Sequence, residues 1–465
     1  MSEPTVGSGC RSPVGRSVRV RGPQAQQVHY NPAPMSTGAS TEDQARSARE
    51  AQRAFVVEGA DMRTEVLRNL ERLLGEREDD LLAANQRDLE APGADDLPGP
   101  IRKRLALSPS KLETLREGVN VLIDSADPVG LPLIRRELDE GLVLEQVRVP
   151  IGVLLIVFES RPDAVIQIGS LALRTGNAVL MKGGSEALHS NRALTDLLRE
   201  AVVKAGGPAD VVQNVEGREA VADLLSMDEH IDLVVPRGSA DLVRAIKAAS
   251  RIPVLGHADG ICHVYVDETA DPRMAVRVAV DSKTNYVAVC NAAETLLLHR
   301  DFPAGRVVVQ ALLDAGVEVR GDEAVAAMAP GVTPADPSDF GQEFGDLVIA
   351  ARVVDGLEDA IDHIHGYGSA HTDTVVTEDT QVARRFLETV DSASVFWNAS
   401  TRFADGFRYG LGAEVGIATG RVHARGPMGA EGLFTTKWLL RGEGHVVGDY
   451  GPGKRSYTHR DLALG

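Results

Sequence analysis

The sequence predicts an α/β fold with two doubly wound parallel-sheet domains and a small β-hairpin element, and three observations carry that prediction. Residues 152–255 alternate apolar runs of strand length (GVLLIVF, NAVLM, DVVQNV, IDLVV, IPVL) with amphipathic helical stretches. Strands without polar alternation, separated by such helices, form parallel sheets covered on both faces. A second series of the same kind begins after Asp259. Residues 129–148, VGLPLIRRELDEGLVLEQVR, read instead as two strands around Asp139-Glu140-Gly141, a protruding hairpin set before the main sheet. A chain of 465 residues also exceeds one ordinary core and predicts two or three domains.

Taken in order, the chain turns helical at Thr41, where Ala, Leu, Glu and Arg dominate as far as DDLLAANQRDLEA; APGADDLPGP breaks the pattern and PSKLETLREGVNVLIDSAD resumes it. After the hairpin come strand GVLLIVF and helix DAVIQIGSLALRTG, then strand NAVLM and a helix ended by Gly206-Gly207. The second series runs from strand CHVYVD and helix DPRMAVRVAVDSK to strand SVFWN. Gly and polar residues dominate 400–432, a loop-rich wall rather than core, and EGLFTTKWLLRGEGHVV ends the ordered chain with a strand.

Composition narrows the function. Hydrophobic residues at 43% and charged residues at 25% describe a soluble protein, and no apolar run reaches the length of a membrane span. A net charge of −18 argues against nucleic-acid and anionic-membrane partners, which require a basic surface. It leaves room for a local anion pocket. Cys10, Cys262 and Cys290 form no disulfide framework and no CxxC pair, which points to a reducing cytoplasm. Residues 1–34, with Arg11, Arg16, Arg19 and Arg21 and only Glu3 as an acid, read as a disordered extension or one preceding a true start at Met35. A transit peptide is disfavoured because the segment has no apolar helical face.

Two strand-to-helix turns carry candidate chemistry. VLMKGGSEALHSN places Lys182, Gly183, Gly184 and Ser185 at the carboxyl end of a strand, and VVPRGSADLVRA repeats the construction with Gly238 and Ser239. Glycine admits close backbone approach, and helix N-termini offer N–H groups to an anion. Two such turns on one sheet edge favour a phosphate-bearing cofactor, although no GxGxxG follows a strand. Arg161, Arg402 and Arg425 sit in Gly/Pro-flanked loops. Each alone reads as a brace for backbone carbonyls; three together suggest an anionic substrate. His363, His365 and His371 lack an acidic or cysteine partner at ligand spacing, so no metal is expected. Cys290 stands at a helix–loop junction where activated cysteines occur, while an unpaired cysteine is most often a buried hydrophobe. Composition alone leaves both readings open.

The motifs ESRPD, LMKGGSEALHSN, VPRGSADLVRAIK, GICHVYVD, CNAAETLLLH, HGYGSAHTDTVV, NASTRFADG, GLGAEVGI and HARGPMGAEGL resemble the gamma-glutamyl phosphate reductase family of the aldehyde dehydrogenase superfamily. The likeness runs in order from about Thr41 to Val447, and Val354–Asp373 is similar to a stretch specific to that family. It resembles the stand-alone reductase, although FESRPDAVIQI and YTHRDL are closer to proteins fused to a kinase. The resemblance implies an aldehyde-dehydrogenase-like fold. It also implies reduction of L-glutamyl 5-phosphate by NADPH to L-glutamate 5-semialdehyde and phosphate, the second step of L-proline biosynthesis. Cys290 falls on the family's nucleophile, Lys182 through Ser185 on the adenosine ribose and its 2′-phosphate, Gly238 and Ser239 on the pyrophosphate, and Glu343 on the nicotinamide ribose. Arg161, Arg402, Arg425 and His371 are expected at the glutamyl phosphate.

The departures from that pattern are informative. Aldehyde-oxidising relatives carry a glutamate base in an ELGGK-like stretch before the cysteine, whereas this chain reads VLGHADG, with His257 and Asp259. Without that base, the thioester is kept from water. The relatives' oxyanion asparagine has no obvious counterpart in FESRPD, and Asp163 stands where many bacterial reductases have asparagine. The expected domains are an extension over 1–34, an NADP(H)-binding domain over 35–128 and 149–258, and a catalytic domain over 259–426. A bridging element over 129–148 and 427–450 and a tail over 451–465 complete them. The resemblance further implies a homodimer or homotetramer and an upstream glutamate kinase as partner.

Overall fold

The computed structural model describes residues 40–464 apart from positions 98 and 218; the extension over 1–34 and Cys10 lie outside the described residues. Ser40, in an extended conformation, accepts the N–H of Asp43 with its hydroxyl and starts the helix Thr41–Val57, satisfying one orphan donor of its first turn. Gly59, at φ +89°, then breaks the helical run, and Ala60–Glu76 follows as a second helix. With the helices Glu78–Leu89 and Pro109–Asp124, it buries Leu67, Leu70, Leu74 and Leu112 in one apolar cluster with the first sheet. Each such side chain contributes about 1.5–3 kcal/mol by leaving water.

The predicted hairpin is present. β1 (Pro132–Asp139) and β2 (Leu142–Pro150) pair antiparallel across Glu140-Gly141, where Gly141 takes φ +75°. The first parallel sheet follows, with β3 (Val153–Phe158), β4 (Ala178–Lys182), β5 (Val212–Asn214) and β6 (Leu233–Arg237) in the order β5-β4-β3-β6. Every residue of β3 is buried, as an unalternating apolar run requires. The chain winds outward from β3 to β5 and then returns to lay β6 on the other side. Its topological switch point, where open α/β sheets bind ligands, therefore lies between β3 and β6. The expected strand at 252–255 is reduced to a bridge between Val234 and Val254, because Pro253 has no N–H to extend a ladder.

The second sheet is parallel throughout. It comprises β7 (Cys262–Val266), β8 (Ala293–His299), β9 (Glu318–Gly321), β10 (Thr333–Pro334), β11 (Val348–Val354), β12 (Thr372–Val376) and β13 (Ser394–Trp397), in the order β10-β9-β11-β8-β7-β12-β13. β9 and β10 were not anticipated; at four and two residues they are too short for a periodicity to show. An antiparallel pair, β14 (Gly416–Ala418) and β15 (Gly426–Met428), lies in the loop-rich wall.

β16 (Phe434–Arg441) then returns to pair with β2, and β17 (Arg460–Asp461) pairs with β1, so the hairpin grows into a four-stranded sheet in the order β16-β2-β1-β17. This corrects the expectation that strand structure ends before residue 448 and that 451–465 is only a tail. Arg460 and Asp461 form ion pairs with Glu137 and Arg136 at 2.6 and 2.7 Å, which carries the chain end onto the β1 edge.

Candidate active site

The turns at the carboxyl ends of β3, β4 and β6 face the residues leading into β8 across a cavity of about 1380 Å³. One side is built by Glu159–Arg161, Lys182–Ser185 and Arg237–Ser239, the other by Cys290, Asn291, Glu343 and Arg402. The structure thus gathers Lys182, Gly183, Gly184, Ser185, Gly238, Ser239, Glu343 and Cys290, widely separated in sequence, around one space.

Lys182 Nζ donates to the Gly183 carbonyl at 2.6 Å. Nearby, Glu216 is gripped by Arg192 at 2.5 and 2.6 Å and also feels the charge of Lys182. The Glu186 carboxylate lies against Gly184 at the same turn. At the other turn, Ser239 caps the helix Ala240–Ala249 with its hydroxyl, and its own N–H donates to Glu159 Oε2 at 2.8 Å. A Cβ on Gly238 would lie 2.4 Å from that carboxylate oxygen, so glycine lets Glu159 reach the turn in this conformation.

Cys290 is half-buried in the turn between the helix Pro272–Thr284 and β8. Two imidazoles approach it: one ring nitrogen each of His257 and His371 and the Cys290 Sγ lie within 4.8 Å of one another. His257 Nδ1 donates to the Ile417 carbonyl at 2.7 Å, which orients the ring. Burial pushes the Cys290 thiol up, but the charges of His371 and His257 outweigh it and hold the thiol well below its ordinary value. Burial pulls the His257 imidazole down, while the Cys290 thiolate and the Ile417 carbonyl bring it up to about 9. The result is a thiolate–imidazolium pair, the activated form of a nucleophilic cysteine. The backbone N–H groups of Cys290 and Asn291 find no acceptor among the described residues and remain available to an oxyanion.

The Cys290 turn is supported from below. A Cβ on Gly260 would lie 2.2 Å from the Cys290 carbonyl oxygen and 2.5 Å from its Cα, so only glycine fits there. Gly260 N donates to Glu343 Oε2 at 2.8 Å, tying the loop of Glu343 to the same point. Burial raises the Glu343 carboxyl above its usual range against that hydrogen bond. Gly345, two residues on, donates to Glu294 at 3.4 Å. Glu294 in turn holds Lys283 at 2.6 Å, with both side chains sealed from solvent.

The arginines divide. Arg161 and Arg402 line the cavity, but Arg425 does not; it donates to Asp391 Oδ1 and to the Asp391 carbonyl at 2.7 and 2.9 Å. Its guanidinium is spent on bracing a loop, the alternative already open for any lone loop arginine. His371 does not line the cavity either. It is fully buried beneath Cys290, with Nδ1 2.8 Å from Thr372 Oγ1, and it acts on the cysteine rather than on a ligand. Of the VLGHADG stretch, His257 faces the cysteine, while Asp259 accepts two hydrogen bonds from Arg244 at 2.6 and 2.7 Å. Sequence reasoning marked His257 only as a departure and missed Glu159 altogether, although both stand in quoted motifs.

Comparison with known proteins identifies the family. The aldehyde dehydrogenase family model matches residues 11–315. The gamma-glutamyl phosphate reductase of Pelotomaculum thermopropionicum is 48% identical over 420 residues, covering 90% of this chain and 96% of that one. Its counterpart in Acetivibrio thermocellus is 47% identical over 426 residues, covering 91% and 98%. A crystal structure of gamma-glutamyl phosphate reductase from Thermotoga maritima superposes with a TM-score of 0.85 at 37% identity, covering 88% of this chain and all of that one. An acetylating aldehyde dehydrogenase from Geobacillus thermoglucosidasius, 18% identical with a TM-score of 0.61, shares the fold. Matched along nine-tenths of its length at 48% identity, the chain belongs to the gamma-glutamyl phosphate reductase family of the aldehyde dehydrogenases.

Proposed function

We propose that the protein reduces L-glutamyl 5-phosphate to L-glutamate 5-semialdehyde and phosphate with NADPH, the second step of L-proline biosynthesis, through a thioester on Cys290. The observation that carries this reading is the Cys290 thiolate held between His257 and His371 at the wall of a cavity that runs to the Lys182 and Ser239 turns. The thiolate attacks the acyl carbon, the C–O bond to phosphate breaks, and phosphate leaves with the electron pair. The N–H groups of Cys290 and Asn291 receive the developing oxyanion. His257, raised against its burial to about 9 by the Cys290 thiolate and the Ile417 carbonyl, steadies the thiolate before attack. Asp259 of the VLGHADG stretch is tied to Arg244 and is not free to activate water against the thioester.

The residues present fit a nicotinamide dinucleotide. The Ser239 N–H already receives an anionic oxygen, that of Glu159, and Lys182 brings a cation to the cavity wall where a 2′-phosphate calls for charge. Lys182, Gly183, Gly184 and Ser185 would hold the adenosine ribose and its phosphate, Gly238 and Ser239 the pyrophosphate, and Glu343 the nicotinamide ribose. Bound there, the reduced cofactor supplies the hydride that takes the thioester to the aldehyde level.

The same reading assigns residues 40–128 and 149–258 to the cofactor domain, 259–426 to the catalytic domain, and 129–148 with 427–450 to a bridging element. Trp438 and Leu440, exposed on the outer strand β16, support assembly into a homodimer or homotetramer through that element. No helix among the described residues is long and apolar enough to cross a membrane, which is compatible with a cytoplasmic enzyme supplied by a separate glutamate kinase. The test is the reverse reaction. NADP reduction by L-glutamate 5-semialdehyde should require inorganic phosphate and vanish in Cys290→Ala. Equal rates without phosphate, or turnover by the variant, overturn the assignment.

A further inference from the structure

The groups that set the state of Cys290 also compose the ligand set of a metal ion. One ring nitrogen each of His257 and His371 and the Cys290 Sγ lie within 4.8 Å of one another. Cys290 and His257 line the main cavity and His371 is buried beneath them. The set therefore has an entry path and an open position on the cavity side. Its members come from distant segments, ahead of β7, β8 and β12 respectively. The expectation of no metal rested on the lack of a cysteine partner for His371 at ligand spacing; packing supplies that partner, together with a second imidazole.

Both rings are held as ligating imidazoles are. His257 Nδ1 donates to the Ile417 carbonyl at 2.7 Å, which places the hydrogen on Nδ1 and leaves Nε2 to serve as a ligand. His371 Nδ1 lies 2.8 Å from Thr372 Oγ1. Its Nε2, in a side chain with no exposed surface, finds no hydrogen-bond partner among the described residues. A buried polar atom without a partner is costly unless a ligand completes it. An imidazole anchored through one nitrogen by a carbonyl or hydroxyl presents the other, in a fixed tautomer, to a metal.

We propose that Cys290, His257 and His371 form a binding site for a soft divalent cation, zinc above all, that reversibly silences the nucleophile. Thiolate and imidazole suit zinc, whereas magnesium and calcium require oxygen ligands. Bonds of about 2.3 Å to sulfur and about 2.0–2.1 Å to nitrogen need the three atoms to draw together slightly. Small rotations of Cys290 and His257 at the cavity wall supply that. Binding forms one metal–sulfur and two metal–nitrogen bonds and releases to solvent the proton that the thiolate and His257 share; nothing is oxidised or reduced. The Sγ electron pair is then committed to the metal and no longer attacks an acyl carbon. The effect on turnover rests on the proposed reaction, but the binding does not.

Cobalt(II), which takes the same ligands and reports them by colour, is the probe. Titration of the full chain with CoCl2 should give tetrahedral d–d bands and a thiolate-to-metal charge-transfer band that saturate at one equivalent. ZnCl2 should displace them and MgCl2 should not. Cys290→Ser should abolish the charge-transfer band, and His257→Gln should weaken cobalt binding by at least about tenfold, with the Tm of both variants guarding against a folding defect. Zinc should also block alkylation of Cys290 by iodoacetamide and inhibit semialdehyde oxidation, both reversed by EDTA. No band in the wild-type protein, a band that persists in Cys290→Ser, or unaltered binding in His257→Gln overturns the site. A band that requires Cys290, in a protein whose turnover zinc leaves intact, upholds the site and overturns the thioester reading.

Discussion

The Glu159 carboxylate accepts the backbone N–H of Ser239 at 2.8 Å. Glu159 follows β3 and Ser239 follows β6, so this bond spans the switch point of the first sheet. A helix N-terminus is an anion site, and here a side chain of the protein itself fills it. Entry of a cofactor phosphate therefore has to displace a like charge. Glu159→Gln should tighten NADPH binding by about fivefold, roughly the worth of removing one screened repulsion. Fluorescence titration of the cofactor reads it, and weaker binding would mean that Glu159 assists the cofactor rather than competing with it.

The state of Cys290 is set by its neighbours. His371 and His257 together hold the thiol down against burial, so it should be alkylated as a thiolate at neutral pH. His257→Gln should move the inflection of the iodoacetamide rate–pH curve upward and, at pH values below that inflection, slow inactivation by about tenfold for one unit of thiol pKa. An unchanged profile would assign the activation to His371 alone.

His257 also predicts when the reductase should begin to leak. Its pKa is raised against burial to about 9 in the free enzyme by the Cys290 thiolate and the Ile417 carbonyl. Acylation of Cys290 removes the charge that holds this proton, so oxidation of semialdehyde without phosphate should rise with pH at an inflection below about 9, as the imidazole is freed to activate water. His257→Gln should remove that high-pH activity. A leak independent of pH, or one that survives the substitution, would point to another base.

Lys283 and Glu294 form a 2.6 Å ion pair with neither side chain more than 1% exposed. Burial pushes Glu294 up to about 7 and Lys283 down, each opposed by its partner. Lys283→Met should cost about 3–5 kcal/mol in urea denaturation by stranding a buried carboxylate, and Lys283→Met with Glu294→Gln should recover part of it. Because Glu294 accepts the Gly345 N–H near Glu343, the single variant should also raise the KM for the cofactor.

In the proposed reading Lys182 supplies the charge at the adenosine end of the cavity. Lys182→Ala should raise the KM for NADPH by about tenfold or more and leave that for NADH little changed, as the loss of a charge-assisted contact to a 2′-phosphate requires. Equal effects on the two cofactors would remove that role.

Much of this was legible in the residues. β3 and β4 could be read because burial on both faces leaves no polar alternation to confuse them, and the hairpin because Glu140-Gly141 marks its turn. Lys182 and Ser239 were found because local turn chemistry announces itself within a few residues. What escaped depends on contacts between distant parts of the chain. Arg425 looked like a ligand for substrate until Asp391, on another loop, was seen to hold it. Glu159 lies in a motif singled out for its arginine, and its bond to Ser239 exists only because β3 and β6 are sheet neighbours. The placing of His257 against Cys290 likewise follows from the packing of one sheet's loops on the other.

The short strand β17 has a consequence for the valence of the molecule. A sheet with two bare edges can accept strands on both sides and so propagate into open-ended fibres. Arg460 and Asp461, with Thr458 N and Leu462 N bonded to the Leu138 and Arg135 carbonyls, stop the β1 edge with the protein's own chain end. The long open edge is that of β16. In the proposed assembly through this sheet, one long edge favours closed pairing over open-ended growth.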